Sequence, residues 1–291
     1  MKKRYILILT FSTAFIVGVP AVSVCFAKQH KQSLMEAPHE TPTGESRQAK
    51  SSKKESRPER VDDKSSYVRE NKLSFESRKF TEQRKGIYKI DITYPQLGAS
   101  LNGAANFNRW VKEFVRKDAA GFRRAEARRL RKYGRPAHDM EEELDIAFEP
   151  VFSSTELVSL KLIETLMQLG QMHPIDYPIS LNYDLKLGRR IDLKEVFKPQ
   201  ANYLQTISSY CFARLRKGSG QYNPENWIAE GTAPKAENYQ HWNIARDGIL
   251  ISFDDYQVGP HSMGQPQILV PYDQLRNDLA TNNVLPLLLA R

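Results

Sequence analysis

Cysteine is the scarcest chemistry-bearing residue in this sequence, and its scarcity excludes a disulfide-held fold. The chain has 291 residues and two cysteines, Cys25 and Cys211. Cys25 falls within the first 27 residues, so removal of that N-terminal segment would leave Cys211 alone. The folded part must then be held by an apolar core, which a domain of about 200 residues can supply. Cys211 lies at helical spacing from Ile207 and Leu215, as a buried apolar thiol would, and no acid or histidine pairs with it in the sequence. Histidine is nearly as sparse. None of the six stands in an HExxH or HxH spacing, so no metal site and no cofactor is expected. A GxSxG elbow and a phosphate-cradling GxxxxGK[ST] loop are both missing, so any catalytic site would be assembled from scattered residues.

Uniform positive charge is lacking too, despite a formal net charge of +9. About +3 lies in the first 27 residues and about +5 between Lys28 and Lys85. Arg109 to Arg135 holds about +8, which leaves Pro136 onward at about −7. That distribution, with no aromatics interleaved among the arginines of Arg123 to Lys132, argues against nucleic acid as a partner.

What is present begins with an address. Met1-Lys2-Lys3-Arg4 precedes an apolar run from Tyr5 to Val19, and small residues close it at Cys25-Phe26-Ala27. This is the pattern of a secretory signal with cleavage after Ala27. An uncleaved anchor and a lipoprotein modified at Cys25 are the alternatives. Residues 28–85 are rich in Lys, Arg, Glu, Ser and Pro, too polar to offset their ordering entropy, and read as a disordered basic linker. The linker is either a plain spacer or a tether to anionic envelope polymer or lipid.

Two sequential sub-domains are expected after it, 86–168 and 169–291, forming an α+β fold with helices on a mostly antiparallel sheet. Alternation at Ile87, Ile90, Ile92 and Tyr94 predicts a strand stopped by Pro95. Phe107, Val111, Phe114, Val115 and Phe122 give a long helix from Ala99 to Lys132 its buried stripe. The nearly all-polar end of that helix, Arg123 to Lys132, reads as solvated. Strands follow at Leu144–Val151, Leu157–Met167 and Ile179–Leu185, then an Asp192/Glu195 capping box and a helix at Asn202–Arg216. A hairpin turning at Asp247-Gly248, a strand at Gln267–Val270 and a terminal helix near Asp273–Leu279 complete the reading.

Two segments read as loops presenting polar and aromatic groups from a rigid sheet. One is Met172-His173-Pro174, leading to Asn182-Tyr183-Asp184. The other is Asp254-Asp255-Tyr256-Gln257-Val258-Gly259-Pro260-His261. Candidate binding residues are His173, Asp254, Tyr256, Gln257, Gly259, Pro260 and His261. A hydrolase or esterase is the alternative, with His173 or His261 as general base and Asp254 or Asp255 as orienting acid.

His-Pro followed by Asn-Tyr-Asp-x-x-x-Gly-Arg, Leu-x-x-Val-Phe-Lys-Pro, and Tyr-Gln-Val-Gly-Pro before Ile-Leu-Val-Pro-Tyr together resemble a known family. They look like the RsiV-like extracellular domain of unknown function, found as the lysozyme-sensing exterior of the anti-sigma factor RsiV and beside the catalytic domain of the peptidoglycan deacetylase PdaC. The resemblance runs from about Tyr88 to Leu279. It implies a bipartite α+β domain and a non-catalytic binding role outside the cytoplasm. Its expected partner is an envelope protein or peptidoglycan component, a lysozyme-like muramidase among them. Only Met1 to Arg4 precede the apolar run, so sigma-factor control is not expected here, nor is the deacetylase chemistry of the linked domain.

Overall fold

In the computed structural model the described residues are 73–135, 140–218 and 225–280. The expected signal and residues 28–72 of the expected linker lie outside them. All described residues belong to one unit running from Lys53 to Arg291.

Six strands form one sheet in the order β1 (Phe75–Arg84), β2 (Tyr88–Leu97), β3 (Glu142–Ser153), β4 (Leu157–Met167), β5 (Ile175–Asp184) and β6 (Arg189–Arg190). Only β2 and β3 run parallel, because the long helix α1 (Ala104–Tyr133) connects them; the other pairs are antiparallel. A parallel pair needs such a crossover. A second, antiparallel sheet holds β7 (Trp242–Ile244), β8 (Gly248–Ser252) and β9 (Gln267–Pro271). Helices α2 (Tyr203–Gly218), α3 (Glu225–Gly231) and α4 (Tyr272–Leu275) complete the α+β fold. Among the described residues no helix is long and apolar enough to cross a membrane.

Three apolar clusters hold these layers together. Phe107, Val111 and Ala104 of α1 pack on Leu160, Leu181 and Tyr183, and further along α1 Val115 and Ala119 pack on Ile90, Ile146 and Leu162. The third cluster joins Ile207, Cys211 and Leu215 of α2 to Ile249, Ile251, Ile268 and Val270. Cys211 is fully buried and burial pushes its thiol up, which makes it the inert core residue its spacing implied.

The structure revises three boundaries. Residues 75–84, expected in the linker, form β1 and pair with β2 along its whole length. Charged residues hide this strand because it is an edge: Glu76, Arg78, Lys79 and Arg84 face water, and Phe80 is one of few apolar contacts it makes. Charge on an edge strand blocks pairing with other chains. Pro95 does not stop β2. It lies beyond Ile92, where β2 has lost β3 and keeps a single neighbour, and proline is tolerated at such edges. The division at 168/169 falls inside the six-stranded sheet, since β5 pairs with β4 from Ile175 to Asp184.

A fourth expectation fails in part at α1. Its basic end is only partly solvated: Arg124, Arg128, Arg131 and Lys132 are exposed as expected, but one face is docked. Arg129 Nε lies 2.9 Å from both Glu126 and Glu142, and both carboxylates are buried. Arg123 contacts Glu82 of β1 at 2.6 Å.

The two sheets are fastened by polar side chains. Asn182 donates to the Trp242 carbonyl at 2.9 Å and accepts from Ile244 N at 2.9 Å. Asn243 reaches back to the Leu160 carbonyl at 2.7 Å and Ser159 Oγ at 3.0 Å, and accepts from Ser180 Oγ at 3.0 Å. Each amide is buried and satisfied, the condition under which buried polar groups add rigidity and not cost.

Candidate functional site

The Asn-Tyr-Asp and Leu-x-x-Val-Phe-Lys-Pro motifs turn out to be structural. Asn182 fastens the sheets, and Tyr183 packs edge-on against Phe107 at 5.4 Å. Asp184 accepts from Leu187 N at 2.7 Å and so closes the turn into β6. Asp192 N donates to Glu195 Oε2 at 2.8 Å, as the capping box requires. Phe197 bridges to Leu279, and Lys198 N donates to the Asp278 carbonyl at 2.8 Å. These residues hold the end of the described chain in place.

The loop between β8 and β9 differs. Its neck is closed by Phe253 N donating to the Pro266 carbonyl at 3.0 Å. Gln257 pins it from behind: its Oε1 accepts from Asp254 N, and its Nε2 donates to the carbonyls of Gly231 and Asn238, each at 3.0 Å. A Cβ on Gly231 would come within 2.1 Å of the Gln257 carbonyl oxygen, and one on Gly259 within 2.1 Å of Met263 Sδ. Gly231 is needed for this close backbone approach, whereas at Gly259 the neighbour is the flexible Met263 side chain. Pro260 sits at the N-cap of the 3-10 turn His261–Met263. Gln257, Gly259 and Pro260 therefore shape the loop, and they leave Tyr256 and His261 to present it.

Tyr256 has φ 63°, and among the described residues it alone combines a side chain with positive φ. A bulky residue in the left-handed region is strained by roughly 1–2 kcal/mol, a cost that concentrates at functional sites. Its ring is 48 % exposed, while its carbonyl accepts from Trp227 Nε1 of α3 at 2.6 Å. The Tyr256 ring stacks on His261 at 5.9 Å, and His261 stacks on His173 at 4.2 Å. The two segments singled out by sequence thus meet in one column of three rings. Gln265 Nε2 donates to the Asp176 carbonyl and ties the loop to β5.

Carboxylates lie beside the column. Asp255 Oδ1 is 3.5 Å from His261 Nδ1, and Asp254 Oδ1 is 3.5 Å from His241 Nε2. These are ion-pair separations, beyond good hydrogen-bond length. Burial raises the pKa of Asp255, the imidazole of His261 opposes that rise, and Asp176 and Asp254 add to it. Tyr177, across from Glu164 on β4, is raised by burial and by the charges of Glu164, Asp254 and Asp255. His173 is exposed and the His261 side chain is 42 % exposed, so the column lies at the surface. No group of three or more metal-ligating residues is assembled among the described residues. Sequence reasoning did not single out His241, Asp176 or Trp227, because each stands alone in the sequence and acquires its role only through packing.

Residues 194–273 match the model of DUF3298, a protein family of unknown function, and this stretch contains the whole Tyr256 loop. The chain is 26 % identical over 189 residues to the peptidoglycan-N-acetylmuramic acid deacetylase PdaC of Bacillus subtilis, an alignment spanning 62 % of this chain and 40 % of that protein. A crystal structure of a DUF3298 family member from Bacteroides fragilis superposes with a TM-score of 0.52 at 16 % identity, covering 77 % of this chain and 100 % of that one. A DUF3298 family structure from Pseudomonas aeruginosa gives 0.47 at 13 % identity, covering 72 % and 96 %.

Proposed function

We propose that this protein is exported and acts as a non-catalytic module that binds the cell wall, with the Tyr256–His261–His173 column as its contact surface. The column carries this reading. Tyr256 and His261 are held at the surface by a loop that Gln257 and Trp227 lock from behind, and His173 joins them from the segment before β5. Pre-organised aromatic faces bind sugar rings and side chains at little entropic cost. Export is supported by the basic head and apolar run at Met1–Val19. Peptidoglycan as the ligand is supported by similarity to PdaC, whose name gives that substrate.

Co-sedimentation of the full chain with purified peptidoglycan tests the reading. Tyr256→Ala and His261→Ala should each lower retention about tenfold, the loss expected when a central aromatic contact is truncated. Retention that survives both substitutions but vanishes when residues 28–72 are deleted would assign binding to the basic segment instead. Replacing the wall with a basic lysozyme-type muramidase tests a protein partner on the same surface. Its attraction to the acidic part of the chain after Pro136 should weaken with added salt.

One observation favours a hydrolase as the second reading. Asp255 faces Nδ1 of His261, the arrangement in which a carboxylate orients an imidazole for general-base work through its other nitrogen. Release of acetate or new reducing ends from peptidoglycan, lost in His261→Ala, would establish that reading over the first.

A further inference from the structure

The outer face of α1 carries charge that the rest of the fold leaves unanswered. Ten lysines and arginines lie on this helix, and the two that are not exposed, Arg123 and Arg129, are the two that meet acids. The other eight are exposed and form no ion pair with a described residue. They share the side of the helix opposite the apolar stripe and run from Arg109 to Lys132, about 35 Å at 1.5 Å per residue. Neighbours along that side repel. Lys112 and Arg116, Arg124 and Arg128, and Arg128 and Lys132 each stand four residues apart, the spacing at which like charges destabilise a helix. Acids there would relieve the repulsion, yet of the three acids of α1 only Glu113 is exposed; Glu126 is buried and Asp118 half-buried. The field of the helix C-terminus accounts for Arg131 and Lys132 alone, since it fades beyond the last turn.

The ridge is also bare of large apolar groups. Tyr133 is the one large hydrophobic residue of α1 that is exposed, and Lys132 lies over its ring at 4.8 Å. The rest of the ridge offers no exposed wedge for a bilayer and no platform for a nucleobase. Leu181 and Tyr183 of β5 pack on α1, whereas Ser180 and Asn182 bond to the second sheet. Side chains alternate along a strand, so the ridge lies on the face of the large sheet away from the sheet that carries the Tyr256 loop.

We infer that this ridge is a docking surface for a linear phosphodiester polyanion, bound along the helix through its phosphates alone. Its cations follow one another about every 5 Å along the axis, a density matched by a polymer charged at every short repeat and not by one charged once per disaccharide. Arginine forks meet phosphate oxygens in pairs, and each contact cancels repulsion already present in the free helix. The acidic part of the chain after Pro136 repels the polymer elsewhere and so steers it to the ridge. This inference is independent of the wall-binding reading of the Tyr256 loop.

Calorimetric titration of the full chain with poly(glycerol phosphate) over a series of salt concentrations tests it. Affinity should fall linearly with salt on logarithmic axes. Combining Arg116→Gln, Arg124→Gln, Arg128→Gln and Arg131→Gln should flatten the slope by about 3, at about 0.7 per lost phosphate contact. Arg116→Gln with Arg124→Gln should flatten it about half as far, a proportion that a folding defect would not produce. The Tm of both variants should hold or rise, because like-charge repulsion has been removed. An unchanged slope in the fourfold variant would overturn the inference and assign the polymer to other basic residues. Hyaluronate binding as tightly at equal charge would overturn it too, as would single-stranded DNA of equal phosphate number binding about tenfold tighter. Phosphatidylglycerol vesicles that bind where free polymer does not would make the ridge a membrane contact instead. None of these outcomes touches the Tyr256 surface, whose retention on peptidoglycan is measured separately.

Discussion

Single residues in this protein divide between those that hold the loop and those that are held by it. Tyr256 belongs to the second group, and its positive φ sets stability against function. Tyr256→Gly removes the left-handed penalty, worth roughly 1 kcal/mol, though glycine also gains freedom in the unfolded chain. The variant should unfold at the same urea concentration as the wild type or slightly higher, while losing retention on peptidoglycan. A merely structural Tyr256 would give the reverse. Asn182 belongs to the first group. Asn182→Ala strands the Trp242 carbonyl and the Ile244 amide inside the protein, at a cost of about 2–4 kcal/mol, which urea denaturation will show as a lower midpoint with unchanged slope. The sequence marked Asn182 and Tyr256 alike as conspicuous, but it could not sort them. Both stand in motifs beside turns, and only the packing puts one inside the seam between sheets and the other on the surface.

At the scale of elements, α1 rests on its sheet across buried acids. Asp118 and Glu164 face each other there. Burial, reinforced at Glu164 by the charge of Asp118, raises the Asp118 pKa to about 6 and that of Glu164 to about 8. Burial likewise raises Glu142 to about 8, with Glu126 adding to the rise and Arg129 opposing it. Each of these acids holds in the folded state a proton that the unfolded chain would release near pH 4. Their stabilising protonation is complete below that value and is lost as pH rises toward 8. The urea midpoint should therefore fall between pH 5 and pH 8. Glu164→Gln should flatten that fall and be the more stable form at pH 8, by on the order of 2 kcal/mol. A wild-type midpoint that rises over this range would contradict the account.

Much of the element order was legible. The apolar stripe of α1, the Asp247-Gly248 hairpin and the Asp192/Glu195 box each carry a local signal strong enough to stand alone. The edge strand β1 and helix α3 do not. The first is charged because it is an edge. The second has Ile228 as its buried anchor, followed by Gly231 and Pro234, which read as loop.

For the whole molecule, the position of β1 has a practical consequence. A chain starting at Leu73 retains β1 and should unfold in a single transition. A chain starting at Gly86, where the polar composition ends, bares the side of β2 that β1 covers. An open strand of that length templates pairing with other chains, so the shorter form should elute as aggregate in size-exclusion chromatography. Fold class was readable because strands come in runs set apart from the helices, each kind with its own hydrophobic period. The candidate site was half readable. His173 and His261 stood in conspicuous loops, but their contact depends on the β8–β9 loop lying against the start of β5, which no local pattern announces.

The amide fastening between the two sheets also acts as a form of proofreading. Side chains alternate faces along a strand, so a slip of one residue in β5 or β7 would swing Asn182 or Asn243 to the opposite side and leave both amides and their carbonyl partners dry and unmatched. Misthreaded versions of the protein are thereby made expensive without any contribution from the β8–β9 loop. That loop is left free to change its tip while the framework beneath keeps its alignment.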